Sequence, residues 1–155
     1  MTTQEYFLPQ SLEEAVNLLV EHGPDMLVMA GGTLAMPLIN EGVSMPAMVM
    51  GLRQAGLNAI DAANGSVRIG AAATMTQLLQ QTDIPMLQEA AHQIGGWAIR
   101  NMGTVGGNLF APPPAGDVAV ALLALDAQLR IAGPNGERTL PLEDFAFSPK
   151  KMSVS

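Results

Sequence analysis

The chain has 155 residues, a formal net charge of -7 and no cysteine. Without cysteine there is no disulfide, zinc–thiolate site, cysteine nucleophile or iron–sulfur cluster ligated by this chain, and 7 Lys and Arg against 14 Asp and Glu argue against nucleic acid. The longest apolar run, Val118–Leu125, is too short to cross a bilayer, and MTTQEYFLPQ lacks the basic and apolar regions of a signal peptide, so a cytoplasmic chain with no membrane insertion is expected.

In chain order, SLEEAVNLLVEHG predicts a helix: Ser11 and Glu14 have capping-box spacing, Leu12, Ala15, Val16 and Leu19 share a face, and Gly23 closes the end. MLVMA (26–30) reads as a buried strand running into Gly31-Gly32-Thr33, and PAMVMG (46–51) as a second strand. LNAIDAANGSVRIGA reads as a hairpin turning at Asn64-Gly65, which tolerate positive φ. TMTQLLQQ and PMLQEAAHQIG are helical, the second capped by Asp83 and ended by Gly95. RNMGTVGGNLFAPPPAGD (100–117) reads as an irregular, glycine-rich stretch, followed by a helix at 118–125, a strand at 128–132, a turn at Pro134-Asn135-Gly136 and the segment RTLPLEDF. Mixed α and β order without a regular βαβ period suggests α+β.

The two glycine segments carry the chemistry. MAGGT follows a strand and GTVGGN precedes a helix; glycine lets successive backbone N–H groups line one concavity and lets an anion come close. Thr33, Thr104 and Asn108 add side-chain hydrogen bonds, and a diphosphate needs no lysine where backbone donors converge, which suits an acidic chain. Taken singly, each segment is equally a tight turn or a helix cap.

Together, AGGTLAMPLI and RNMGTVGGNLFAPPPAGDVAVALLALDA resemble the two flavin-binding loops of the FAD-binding domain of molybdopterin dehydrogenases, the xanthine dehydrogenase and carbon monoxide dehydrogenase group. The resemblance runs from FLPQSLEEAVNLL to LEDF. It implies a vanillyl-alcohol-oxidase-type (PCMH-type) FAD-binding fold of two lobes, residues 1–60 and 61–147, with the cofactor cleft between them. Residues 148–155 would then be a tail at the junction to a missing C-terminal domain. It further implies that the segment Met29, Ala30, Gly31, Gly32, Thr33, Leu34, Ala35 wraps a non-covalent FAD at its diphosphate. Thr104, Gly106, Gly107 and Asn108 would close over the same diphosphate and the ribityl chain, and Asp117 would accept flavin-side hydroxyls while also capping the helix that starts at Val118. Leu34 and Pro113 depart from the polar residues many relatives carry at those places.

Other candidates carry less. His22 and His92 have no second ligand nearby, so no metal site is expected. No Gly-x-Ser-x-Gly elbow exists, and no catalytic residue is assigned. Met45, Met48 and Met50 read as core filler, Trp97 as core in preference to a cofactor contact, and Lys150 and Lys151 as a solvated terminus. With no acid–base pair or nucleophile in the motifs, the hard chemistry falls to the cofactor. The resemblance implies an electron-transfer subunit of a molybdenum hydroxylase complex. Molybdopterin and iron–sulfur clusters would reside in partner subunits, a large molybdopterin subunit and an iron–sulfur subunit. Electrons would leave FAD for NAD, a quinone or another acceptor. The alternatives are a docking module without flavin and a stand-alone FAD oxidase.

Overall fold

The computed structural model describes residues 5–111 and 116–146. The N-terminal third builds a three-stranded, all-parallel sheet in the order β1 (Glu5–Phe7), β3 (Met48–Gly51), β2 (Met26–Met29). Val49 of the central strand pairs with Tyr6 on one side and Leu27 on the other. The apolar run Val49-Met50-Gly51 is buried, as a central parallel strand covered on both faces requires. Helix α1 (Leu12–His22) lays Ala15, Leu18 and Leu19 against Met26 and Met50. Its start is fixed by the Ser11 hydroxyl accepting from the Glu14 N–H at 3.1 Å, while the Glu14 carboxylate accepts from the Gln10 N–H at 2.7 Å. Gly23 ends it at φ 54°.

Met29 lies opposite Gly51, so β2 and β3 leave the sheet at the same carboxyl edge. From that edge the chain runs into Gly31-Gly32 and then α2 (Ala35–Asn40), and from its neighbour into a short turn at Leu52–Gln54. Carboxyl edges of parallel strands are where such sheets receive ligands.

The remainder is helical with two antiparallel hairpins. β4 (Ile60–Ala63) and β5 (Ser66–Ile69) meet at Asn64 (φ 52°) and Gly65 (φ 77°), the two positive-φ positions of a tight hairpin turn. α3 (Met75–Gln81) opens with a complete capping box between Thr74 and Gln77. It packs on α4 (Pro85–Gln93) through a core of Ala73, Met75, Leu78, Ala91, Val105 and Val118. After α7 (Asp117–Ala124), β6 (Gln128–Gly133) pairs with β7 (Gly136–Pro141), and α8 (Leu142–Ala146) closes the described chain.

Five expectations change. Met45, expected as core filler, is 84% exposed, because it lies on the irregular segment between α2 and β3 and not in the strand that carries Met48 and Met50. Asp83 does not cap α4: Ile84 holds that position, and Pro85, whose missing N–H needs no partner, starts the helix. Trp97 is 74% exposed: the buried residues here are Leu87 and Ala91 of α4, and Trp97 lies after the left-handed Gly95 that ends that helix region. The stretch expected to be irregular starts on the last residue of a helical turn, α5 (Trp97–Arg100), and contains a second one, α6 (Val105–Leu109). Asp117 is the first residue of α7 rather than its cap, a place held by Gly116 at φ 112°. Residues 112–114, with the Pro113 departure, and the 148–155 tail with Lys150 and Lys151 lie outside the described residues.

Candidate functional site

Two glycine-bearing segments meet at the carboxyl edge of the parallel sheet. Gly31 lies so close to the Met102–Gly103 backbone that a Cβ there would overlap the Met102 carbonyl oxygen. A Cβ on Gly103 would stand 3.7 Å from the Thr33 hydroxyl oxygen. Gly32, at φ 73°, carries the chain round the corner in a conformation that side-chain-bearing residues avoid. Met29 and Ala30 lead into this corner from β2, and Leu34 and Ala35 lead out of it into α2.

The first segment keeps its donors free. The Met36 N–H bonds the Gly32 carbonyl at 2.9 Å, but the N–H groups of Gly31, Gly32, Thr33, Leu34 and Ala35 meet no acceptor among the described residues. Five successive donors without a partner, at a left-handed turn and a helix start, are the kind of backbone group that an anion can bind. No acidic side chain lies between Met29 and Asn40 to repel one. The Leu34 side chain is exposed and has nothing to offer a phosphate.

The second segment spends most of its donors internally. The Val105 N–H bonds Ala73 O at 2.9 Å, Gly106 bonds Ala71 O at 2.8 Å, and Asn108 bonds Thr104 O at 2.9 Å. Thr104 is buried, and its hydroxyl accepts from the Gly107 N–H at 3.2 Å as the cap of α6. Gly106 serves close packing: a Cβ there would lie 2.9 Å from Ala71 O. A Cβ on Gly107 would meet only the Thr104 hydroxyl, at 3.0 Å. The open, donor-rich loop expected at Thr104–Asn108 is thus a capped helical turn, because Thr104 caps it and the Ala71–Ala73 backbone, distant in sequence, accepts two of its N–H groups.

Asn108 reaches elsewhere. Its Oδ1 accepts from the Val118 and Ala119 N–H groups at 3.1 and 3.3 Å, at the start of α7. The Asp117 carboxylate beside them is exposed and has no hydrogen-bond or ion-pair partner among the described residues.

Several supporting residues carried no sequence signal. The Arg100 guanidinium donates to the carbonyls of His92, Ile94 and Gly95 (3.2, 3.3 and 2.6 Å), closing the end of α4. The Thr76 hydroxyl donates to Asn101 Oδ1 at 2.6 Å, and Arg53 donates to the Met102 sulfur at 2.7 Å. These three contacts hold Arg100–Gly103 where Gly31 meets it. Each is long-range in sequence or made to backbone, and such contacts leave no local motif. Among the described residues no cluster of three or more His, Cys, Asp or Glu is placed to hold a metal, and no helix is long and apolar enough to cross a membrane.

Comparison with known proteins matches residues 2–155 to the family described as the FAD binding domain in molybdopterin dehydrogenase. The chain is 36% identical over 149 residues to the 6-hydroxypseudooxynicotine dehydrogenase complex subunit alpha of Paenarthrobacter nicotinovorans, covering 93% of this chain and 50% of that protein. It is 35% identical to the xanthine dehydrogenase FAD-binding subunit of Escherichia coli O157:H7, covering 96% and 53%. Among solved structures, carbon monoxide dehydrogenase from Hydrogenophaga pseudoflava superposes with a TM-score of 0.87 at 31% identity, over 95% of this chain and 53% of that one. The chain spans about half the length of these relatives.

Proposed function

Since the chain belongs to the family of FAD-binding domains in molybdopterin dehydrogenases, we propose that it binds FAD non-covalently and serves as the flavin-bearing, electron-transferring part of a molybdenum hydroxylase. The observation that carries this reading is the row of N–H groups from Gly31 to Ala35 with no acceptor among the described residues, set where Gly31 packs on the Met102–Gly103 backbone. In the proposal these donors and the Thr33 hydroxyl bind the diphosphate. Thr104, Gly106 and Gly107 form the brace behind it, with Gly107 leaving an open face toward the cofactor. Met29 and Ala30 deliver the chain from β2, and the free Asp117 carboxylate accepts hydroxyl groups of the flavin side chain.

Bound FAD supplies a centre that exchanges electrons one or two at a time. The chain's own part is to bind and orient it. With no cysteine in the sequence, a cysteine-ligated iron–sulfur donor must come from elsewhere. The relatives' printed names, a dehydrogenase complex subunit and an FAD-binding subunit, support an assembly with other subunits, and in the proposal these partners bear the iron–sulfur clusters and the molybdopterin. NAD, a quinone or another carrier would be the electron acceptor, in the cytoplasm. The test is to co-express the chain with such partner subunits and follow flavin bleaching on adding an aldehyde or N-heterocycle. Bleaching that requires the partners supports the reading. A colourless chain that takes up no FAD indicates a docking module instead, and substrate oxidation by the chain alone indicates an oxidase.

A further inference from the structure

We propose that Asn108 is a positioning residue, fixing the start of α7 and through it the Asp117 carboxylate, rather than a direct cofactor ligand; the inference rests on the flavin reading above. A helix leaves its first N–H groups without internal partners, and a side chain at the cap position normally takes one or two of them. Gly116 occupies that position in α7 and has no side chain to offer. Asn108, in α6, supplies the missing cap: its Oδ1 accepts from Val118 at 3.1 Å and Ala119 at 3.3 Å. The backbone returns to the same residue, since a Cβ on Gly116 would press on the Asn108 carbonyl oxygen at 3.2 Å. Asn108 therefore ties the turn braced against Ala71–Ala73 to the helix that opens with Asp117. An amide does this without placing a second negative charge beside Asp117 and a diphosphate. Its Nδ2 meets no acceptor among the described residues, so a contact from that atom to FAD is the competing role.

A double-mutant cycle separates the two. FAD affinity is measured by quenching of flavin fluorescence for the wild-type chain, Asn108→Ala, Asp117→Ala and the pair, together with thermal midpoints of the flavin-free proteins. Each single change is expected to weaken binding about tenfold and the pair no more than about tenfold, because both remove one function. Asn108→Ala should also lower the flavin-free midpoint by about 3 °C, and Asn108→Asp, which keeps the accepting oxygen, should restore it. Additive losses approaching about a hundredfold in the pair, with an unchanged Asn108→Ala midpoint, would overturn the proposal in favour of direct contact. If Asn108→Ala does not fold, Asn108→Ser takes its place in the cycle with the same two readings. A wild-type chain that binds no FAD overturns the flavin reading and the Asp117 role with it, whereas the flavin-free midpoints still decide whether Asn108 caps α7.

Discussion

Two glycines of the site do different work, and single methyl groups distinguish them. At Gly31 an added Cβ overlaps the Met102 carbonyl oxygen, a backbone atom that moves only if the two segments part. Gly31→Ala should cost about 1–3 kcal/mol of stability and weaken FAD binding by at least about tenfold, read by urea denaturation and fluorescence titration. Retention of both would mean that the two segments tolerate separation. Gly107 sits inside α6 and faces only the Thr104 hydroxyl, so Gly107→Ala should leave stability unchanged or raise it by about 0.5–1 kcal/mol. If its open face lies toward the cofactor, the same methyl should still weaken FAD severalfold; unaltered affinity would remove Gly107 from the proposed site. The pattern GGT…TVGGN was legible in the sequence, but it could not say which glycine faces backbone and which faces open space. That depends on where Ala71 and Met102 arrive from other elements.

Elements with local grammar were readable in advance. Ser11 and Glu14 announced α1, Asn64-Gly65 announced the β4–β5 turn, and short apolar runs beside Gly and Pro announced β2 and β3. The interval from Trp97 to Leu109 was not, because one-turn helices are too short for any periodicity to emerge and their glycines argue for coil. What holds them is largely tertiary, Arg100 on the carbonyls at the end of α4 and the Val105 and Gly106 N–H groups on Ala73 and Ala71, with Thr104 adding a local cap on Gly107. Thr74 shows the coupling, since its capping box starts α3 while its backbone bridges to Thr104. Thr74→Ala should lower stability by about 1 kcal/mol, checked by denaturation, and the loss should be the same with and without FAD if Thr74 only caps. A loss confined to the FAD-bound protein would place Thr74 at the cofactor.

For the whole molecule, a chain of net charge -7 that binds a diphosphate must do so against its own long-range field. Backbone dipoles act at contact distance, whereas the repulsion acts at range and is screened by salt. FAD affinity should accordingly hold steady or rise as ionic strength increases; a steep fall would mean that cationic side chains carry the binding. The same site leaves Leu34, Met36, Trp97, Met102 and Phe110 exposed, apolar surface carried on or next to the two segments. The most direct test of the central claim, that the Gly31–Ala35 donors grip a diphosphate, is competition among FAD, ADP and riboflavin for the chain, followed by flavin fluorescence. FAD should bind, ADP should displace it, and riboflavin, which carries the ring without the diphosphate, should bind far more weakly. Riboflavin binding as tightly as FAD, with ADP failing to compete, would contradict the account.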